Sequence, residues 1–120
     1  MILHLEDLEY GASRGGRIWF SVAECCFPEE GWYDLAGVLL EIWMPRLESF
    51  FQGNTDSAEL YFMDGPYKVR LRRADNRITV ICLDQKQIVV QETEIDPEAF
   101  HESVKKAVRY QKRMKYLSEK

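Results

Sequence analysis

The residues of this 120-residue chain best suited to nucleophilic or metal chemistry are three cysteines, Cys25, Cys26 and Cys82, and two histidines, His4 and His101. A thiol becomes a nucleophile when a base lies beside it, and a structural metal needs several converging ligands. Nothing in the spacing pairs either histidine with a nucleophile, and the cysteines form no CxxC motif. HExxH, GxSxG, GxGxxG and Walker patterns are absent. The glycines of 11–16 lead into a strand rather than a helix, so they do not form a phosphate cradle. Asp64-Gly65-Pro66 is accounted for as turn chemistry. A small enzyme would have to join Cys25 or Cys26 to His4 or His101. No catalytic residue, metal ligand or cofactor is assigned. The odd cysteine number, with two adjacent in sequence, reads as reduced thiols. Cys82, alternating with Ile78 and Val80, reads as a small core residue.

The elements that position these groups must come from one domain spanning 1–120, because 46% hydrophobic residues in 14.1 kDa supply a single core without metal or disulfide staples. No apolar run reaches the roughly 20 residues of a membrane helix, and the first eight residues lack a signal-peptide pattern, so a soluble, cytoplasmic protein without membrane contact is expected. Net charge is −4, unevenly placed: residues 1–60 hold eleven acids against three arginines, whereas residues 61–120 hold thirteen Lys and Arg against nine acids. The acidic total disfavours nucleic acid as a partner.

Alternating apolar residues predict strands at Ile2–Leu8, Arg17–Glu24, Ala58–Met63, Tyr67–Arg72, Ile78–Leu83 and Gln87–Glu94. Cys25–Tyr33 reads as an ordered loop. Asp34 is placed to cap a helix carrying Leu35, Leu39, Ile42, Trp43, Leu47 and Phe50, ended by Gly53. Asp96-Pro97-Glu98 opens a second helix that continues to about Leu117. The expected fold is α+β, in the order ββαββββα, with an antiparallel sheet of about six strands and two helices packed on one face.

The apolar arc of the first helix is wider than the ~100° stripe of a simple surface helix, so one sheet contact would not cover it and the rest must meet the second helix, another loop, a second subunit or a partner. Pro45 is expected to kink it and to shift the phase of Arg46. On its polar side Asp34, Glu41 and Glu48 recur every seven residues, and Glu24, Glu29, Glu30 and Trp32 lie just upstream. Two readings stand: a solvated helix face, or an acidic and aromatic surface that docks onto a basic partner. The row Lys68, Arg70 and Arg72 and the cations of the last helix read as charged outer faces.

Trp32-Tyr33-Asp34, then Trp43 and Leu47 on one helix, then Phe62-Met63-Asp64-Gly65-Pro66-Tyr67 at a strand turn, resemble the pattern of small bacterial immunity proteins of polymorphic toxin systems, over about residues 18–83. The resemblance implies a single α+β domain without catalytic machinery that neutralises a cognate toxin domain by covering its active or adjoining surface. The partner-binding surface expected on this reading comprises Glu24, Glu29, Glu30, Trp32, Asp34, Glu41 and Glu48. The alternative is a self-associating adaptor or structural module, a homodimer formed through the wide apolar helix.

Overall fold

Strand-period alternation in this chain produces two antiparallel sheets rather than one. The computed structural model describes residues 1–9, 14–84, 86 and 89–119. In the first sheet β1 (Ile2–Glu6) pairs with β2 (Gly16–Val22), whose other edge pairs with β3 (Cys25–Phe27) and then β4 (Tyr33–Asp34). After helix α1 (Ala36–Phe51), the strands β5 (Ser57–Tyr61), β6 (Lys68–Ala74), β7 (Arg77–Leu83) and β8 (Val89–Ile95) form a second sheet in sequence order, and α2 (Pro97–Ser118) ends the fold. The α+β class and the four-strand meander match expectation. The strand count does not: among the described residues eight strands form two sheets, because the expected loop Cys25–Tyr33 contributes β3 and the start of β4. Its hairpin turn is Ala23-Glu24, at φ +47° and +70°, where glycine or asparagine would ordinarily mark the site. At the corresponding β6–β7 turn, Asp75-Asn76 occupies the same left-handed region with residues that tolerate it. The turn predicted at 11–16 lies partly outside the described residues, as does the start of the strand predicted at Gln87.

One core serves both sheets, and α1 joins them. Trp43, fully buried, stacks on Phe20 of β2 at 5.5 Å between ring centroids. Its other ring contact is edge-on to Phe62, which follows β5, at 5.2 Å. Its indole N–H donates to the Tyr61 carbonyl at 3.0 Å, so the ring is buried without an orphaned donor. Phe27 and Trp32 then meet Phe62 and Tyr67 edge to face, carrying the contact from the β3–β4 segment to the second sheet. Leu39, Leu40, Leu47 and Phe50 fill the same core from α1, while Phe100, Val104 and Ala107 enter it from α2.

Helix ends follow their local chemistry. Asp96 accepts from the Glu98 N–H at 3.0 Å, with Pro97 as the first helical residue. Gly53, at φ +78°, closes α1: its N–H donates to the Phe50 carbonyl while that of Asn54 reaches Ser49. The helix runs unbroken through Pro45. Arg46 points out of the apolar arc and donates to the Glu59 carbonyl at 2.9 Å.

The cationic row of β6 is partly neutralised across the sheet. Glu59 of β5 hydrogen-bonds Arg70 at 2.8 Å, lies 3.7 Å from the Lys68 ammonium, and accepts from the Tyr61 hydroxyl; Arg72 stays exposed. The Tyr61 hydroxyl, followed by Arg70 and Lys68, holds the Glu59 carboxyl below its ordinary value, against the opposing effect of burial. Its contribution is therefore complete above the unfolded-state value, about pH 4.3, and disappears as pH falls through the lower folded-state value. Urea denaturation should show Glu59→Gln less stable than the parent at pH 7 by about 0.2–1 kcal/mol, with the difference closing as pH falls below that lowered folded-state value.

Candidate protein-binding surface

Asp34 is 2% exposed, yet it is a carboxylate. Pairing of β4 with β2, Asp34 opposite Gly16, carries it inward before α1 begins. One oxygen accepts from the Leu35 N–H at 2.7 Å. The other accepts from the Trp32 indole at 3.1 Å, the Met63 N–H at 3.1 Å and the Asp64 N–H at 2.9 Å. Four donors compensate the buried charge where no cation does so by an ion pair among the described residues. The expected helix cap and solvent-facing member of an acidic stripe is thus corrected: Leu35 takes the capping position without a side-chain bond, and Asp34 ties the first sheet to the turn after β5. In that turn Gly65 has φ +113° and its Cα faces the Tyr67 ring, where a Cβ would come within 3.0 Å.

Around this tie the surface is apolar. Tyr33, Leu35 and Met63, with Asp34 and Asp64, line a cleft of about 320 Å³. Ile42 lies seven residues from Leu35 on α1, and Tyr61 lies two before Met63. Tyr33, Leu35, Ile42, Tyr61 and Met63 make up five of the nine large hydrophobics left exposed among the described residues, at 41–48%. Tyr33, Leu35 and Met63 share the cleft, and apolar side chains gathered in this way mark an interaction surface more strongly than scattered ones do. No sequence expectation placed these five at a site. For Leu35 and Ile42 the apolar character of the first helix was the signal, since both stay exposed at 41%; Tyr33, Tyr61 and Met63 carried none.

Comparison with family models, curated proteins and solved structures found no match. The placement of each residue therefore rests on its own geometry. Glu24 occupies the β2–β3 turn, and Glu29 and Glu30 are exposed between β3 and β4. Trp32 is half-buried, its ring 5.4 Å from that of Tyr67, so it supports the framework as well as the rim. Glu41 is exposed but bonded by the Arg14 guanidinium, which is the main cause of its carboxyl lying below the ordinary value. Glu48 lies apart, in a groove between α1 and α2 beside Lys105 and Arg109. The structure does not gather the seven expected residues into one acidic face. Asp34 is almost wholly buried beneath the cleft, and Glu48 belongs to a different groove.

The histidines and cysteines sit in different surroundings. His101 stacks on Phe51 at 4.1 Å. His4 stacks on Trp19 at 4.8 Å, and its Nε2 lies 2.9 Å from the Ser21 hydroxyl; burial, the largest influence, lowers its pKa. Ser21 is the register partner of exposed Cys26. Cys82 is buried, and burial pushes its thiol up to about 12. No group of three metal-ligating side chains occurs among the described residues.

Two outcomes follow from this geometry. Asp34→Ala, which strands the Met63, Asp64 and Trp32 donors, should cost about 3 kcal/mol or more in chemical denaturation, and Asp34→Asn should recover only part of it. Titration of the native protein with a thiol reagent should modify Cys25 and Cys26, with Cys82 reacting only after denaturation.

Proposed function

We propose that this chain is an inhibitory binding protein of the immunity type, which neutralises a cognate toxin domain by covering its active or adjoining surface. The observation that supports this reading best is the exposed set Tyr33, Leu35 and Met63, which lines a cleft held by Asp34. Tyrosines and long apolar side chains on a fixed framework suit the centre of a protein interface, where a few residues carry most of the affinity. Asp64, Glu29 and Glu30 supply exposed negative charge in the neighbouring turns, which would speed encounter with a basic surface. The partner is therefore a domain with a basic rim and a pocket that accepts an aromatic ring. The resemblance of Trp32-Tyr33-Asp34 and Phe62–Tyr67 to small bacterial immunity proteins implies a bacterial toxin as that domain.

Self-association is a second reading, favoured by one observation. The groove of about 290 Å³ between α1 and α2 has apolar walls of Met44, Phe51 and Val108, with Glu48 on one side and Lys105 and Arg109 on the other. A two-fold axis would set the acid of one copy against the cations of its mate.

Co-expression with a candidate toxin domain should restore growth, and Tyr33→Ser with Met63→Ser should weaken binding at least tenfold while leaving the unfolding curve in place. Charge reversal at Glu29, Glu30 and Asp64 should chiefly slow association at low salt. Unchanged affinity across both sets removes this surface from the function. In sedimentation at micromolar concentration the immunity reading expects a monomer, whereas a dimer abolished by Phe51→Asp would favour self-association.

A further inference from the structure

The outer strand of the first sheet has an incompletely protected edge. Beside β1 lies α2, which covers the edge with two hydroxyls: Ser103 accepts from the Leu3 N–H at 2.9 Å and Tyr110 accepts from the Leu8 N–H at 3.2 Å. Leu5 falls between them. It pairs in register with Ile18, whose own N–H points away from β1 to the Trp32 carbonyl at 2.8 Å. In an antiparallel ladder, residues two apart turn their backbone groups the same way. The Leu5 N–H and C=O therefore face outward, as those of Leu3 do, and no partner meets them among the described residues. An unpaired strand edge is a template for another chain unless it is blocked.

The space beside Leu5 is a groove of about 240 Å³, which also presents Glu6, Ser103, Tyr110, Lys106 and Arg113. Lys106 and Arg113 lie seven residues apart, on one face of α2. Neither forms an ion pair among the described residues, and Arg113 rests over the Tyr110 ring, 5.9 Å from its centroid. With Glu6 the only acid in the lining and His4 held toward its neutral form mainly by burial, the groove keeps a positive balance. Its volume falls below the ~300 Å³ at which cofactor-sized pockets begin. The Ser103 and Tyr110 bonds close the edge on either side of Leu5, so a strand cannot run through. A chain end can enter.

We propose that this groove captures the C-terminal end of an extended polypeptide, its last peptide groups pairing with the Leu5 N–H and C=O and its terminal carboxylate lying between Lys106 and Arg113. The recognition combines strand addition with capture of a chain terminus. It uses none of the side chains assigned to the docking cleft around Asp34, and it stands whether or not that cleft binds a toxin.

The test uses three probes on the isotopically labelled full chain: a five-residue valine–threonine peptide with a free C-terminal carboxylate, its C-terminal amide, and the free acid N-methylated at the penultimate peptide bond. Amide spectra should show the free acid shifting Leu5 and its neighbours in β1, with the amide and the N-methylated peptide binding at least tenfold more weakly. Lys106→Glu with Arg113→Glu, both exposed, should weaken the free acid at least tenfold with the rest of the spectrum unchanged. The proposal is overturned if millimolar free acid leaves Leu5 unmoved. Equal binding of acid and amide, or equal binding of an amide-capped peptide carrying an internal glutamate, overturns it as well.

Discussion

A buried carboxylate with no cationic partner is tolerable only when hydrogen-bond donors surround it, and Asp34 meets that condition with four of them. Its neighbours become dependent on one another as a result. The β4 pairing brings Asp34 inward, the Met63 and Asp64 amides must come to it from the second sheet, and the Trp32 indole is turned to face it. The apolar cleft is the outer side of the same arrangement. Tyr33 and Leu35 are the chain neighbours of Asp34, and Met63 and Asp64 are the residues whose amides it binds. Exposed apolar groups are thus fixed in place by a polar interaction beneath them, and a rigid patch loses little further conformational entropy on docking.

Charge is arranged on a second principle. The acidic first half and basic second half of the sequence face each other in part, as Glu59 of β5 meets Lys68 and Arg70 of β6. The outward face of that sheet consequently offers an anionic ligand less than the row of cations implied. Elsewhere the balance is left open. Lys106 and Arg113 remain beside the β1 edge, and Lys105 and Arg109 face Glu48 across the interhelical groove. Part of the unbalanced charge thus lies along grooves, where a field is focused more than on an open surface.

Where an element carried its own end signals, its limits were legible. Asp96-Pro97 starts α2 and Gly53 closes α1 as expected, and the alternation from Ser57 to Ile95 yields the meander β5–β8. The segment from Cys25 to Asp34 was not legible. Ala23-Glu24 forms its turn with neither glycine nor asparagine, and β3 and β4 are only three and two residues long, too short for alternation to show. Asp34 was misread for a related reason. An aspartate just before an apolar helix has the appearance of a cap, and only pairing with Gly16 shows that it belongs to a strand.

The sequence by itself determined the two helices and the longer strands, because hydrophobic period and end chemistry act within a few residues. It also determined that α1 carries more apolar surface than one sheet can cover. Tertiary structure alone decided which part of that surface stays exposed. Asp34 finds its amide partners 29 and 30 residues away, and the hydroxyls on either side of Leu5 lie 100 and 102 residues from the amides they bond. A hydrogen bond acts over a few ångströms whatever the separation in sequence, so these meetings exist only once the chain has packed.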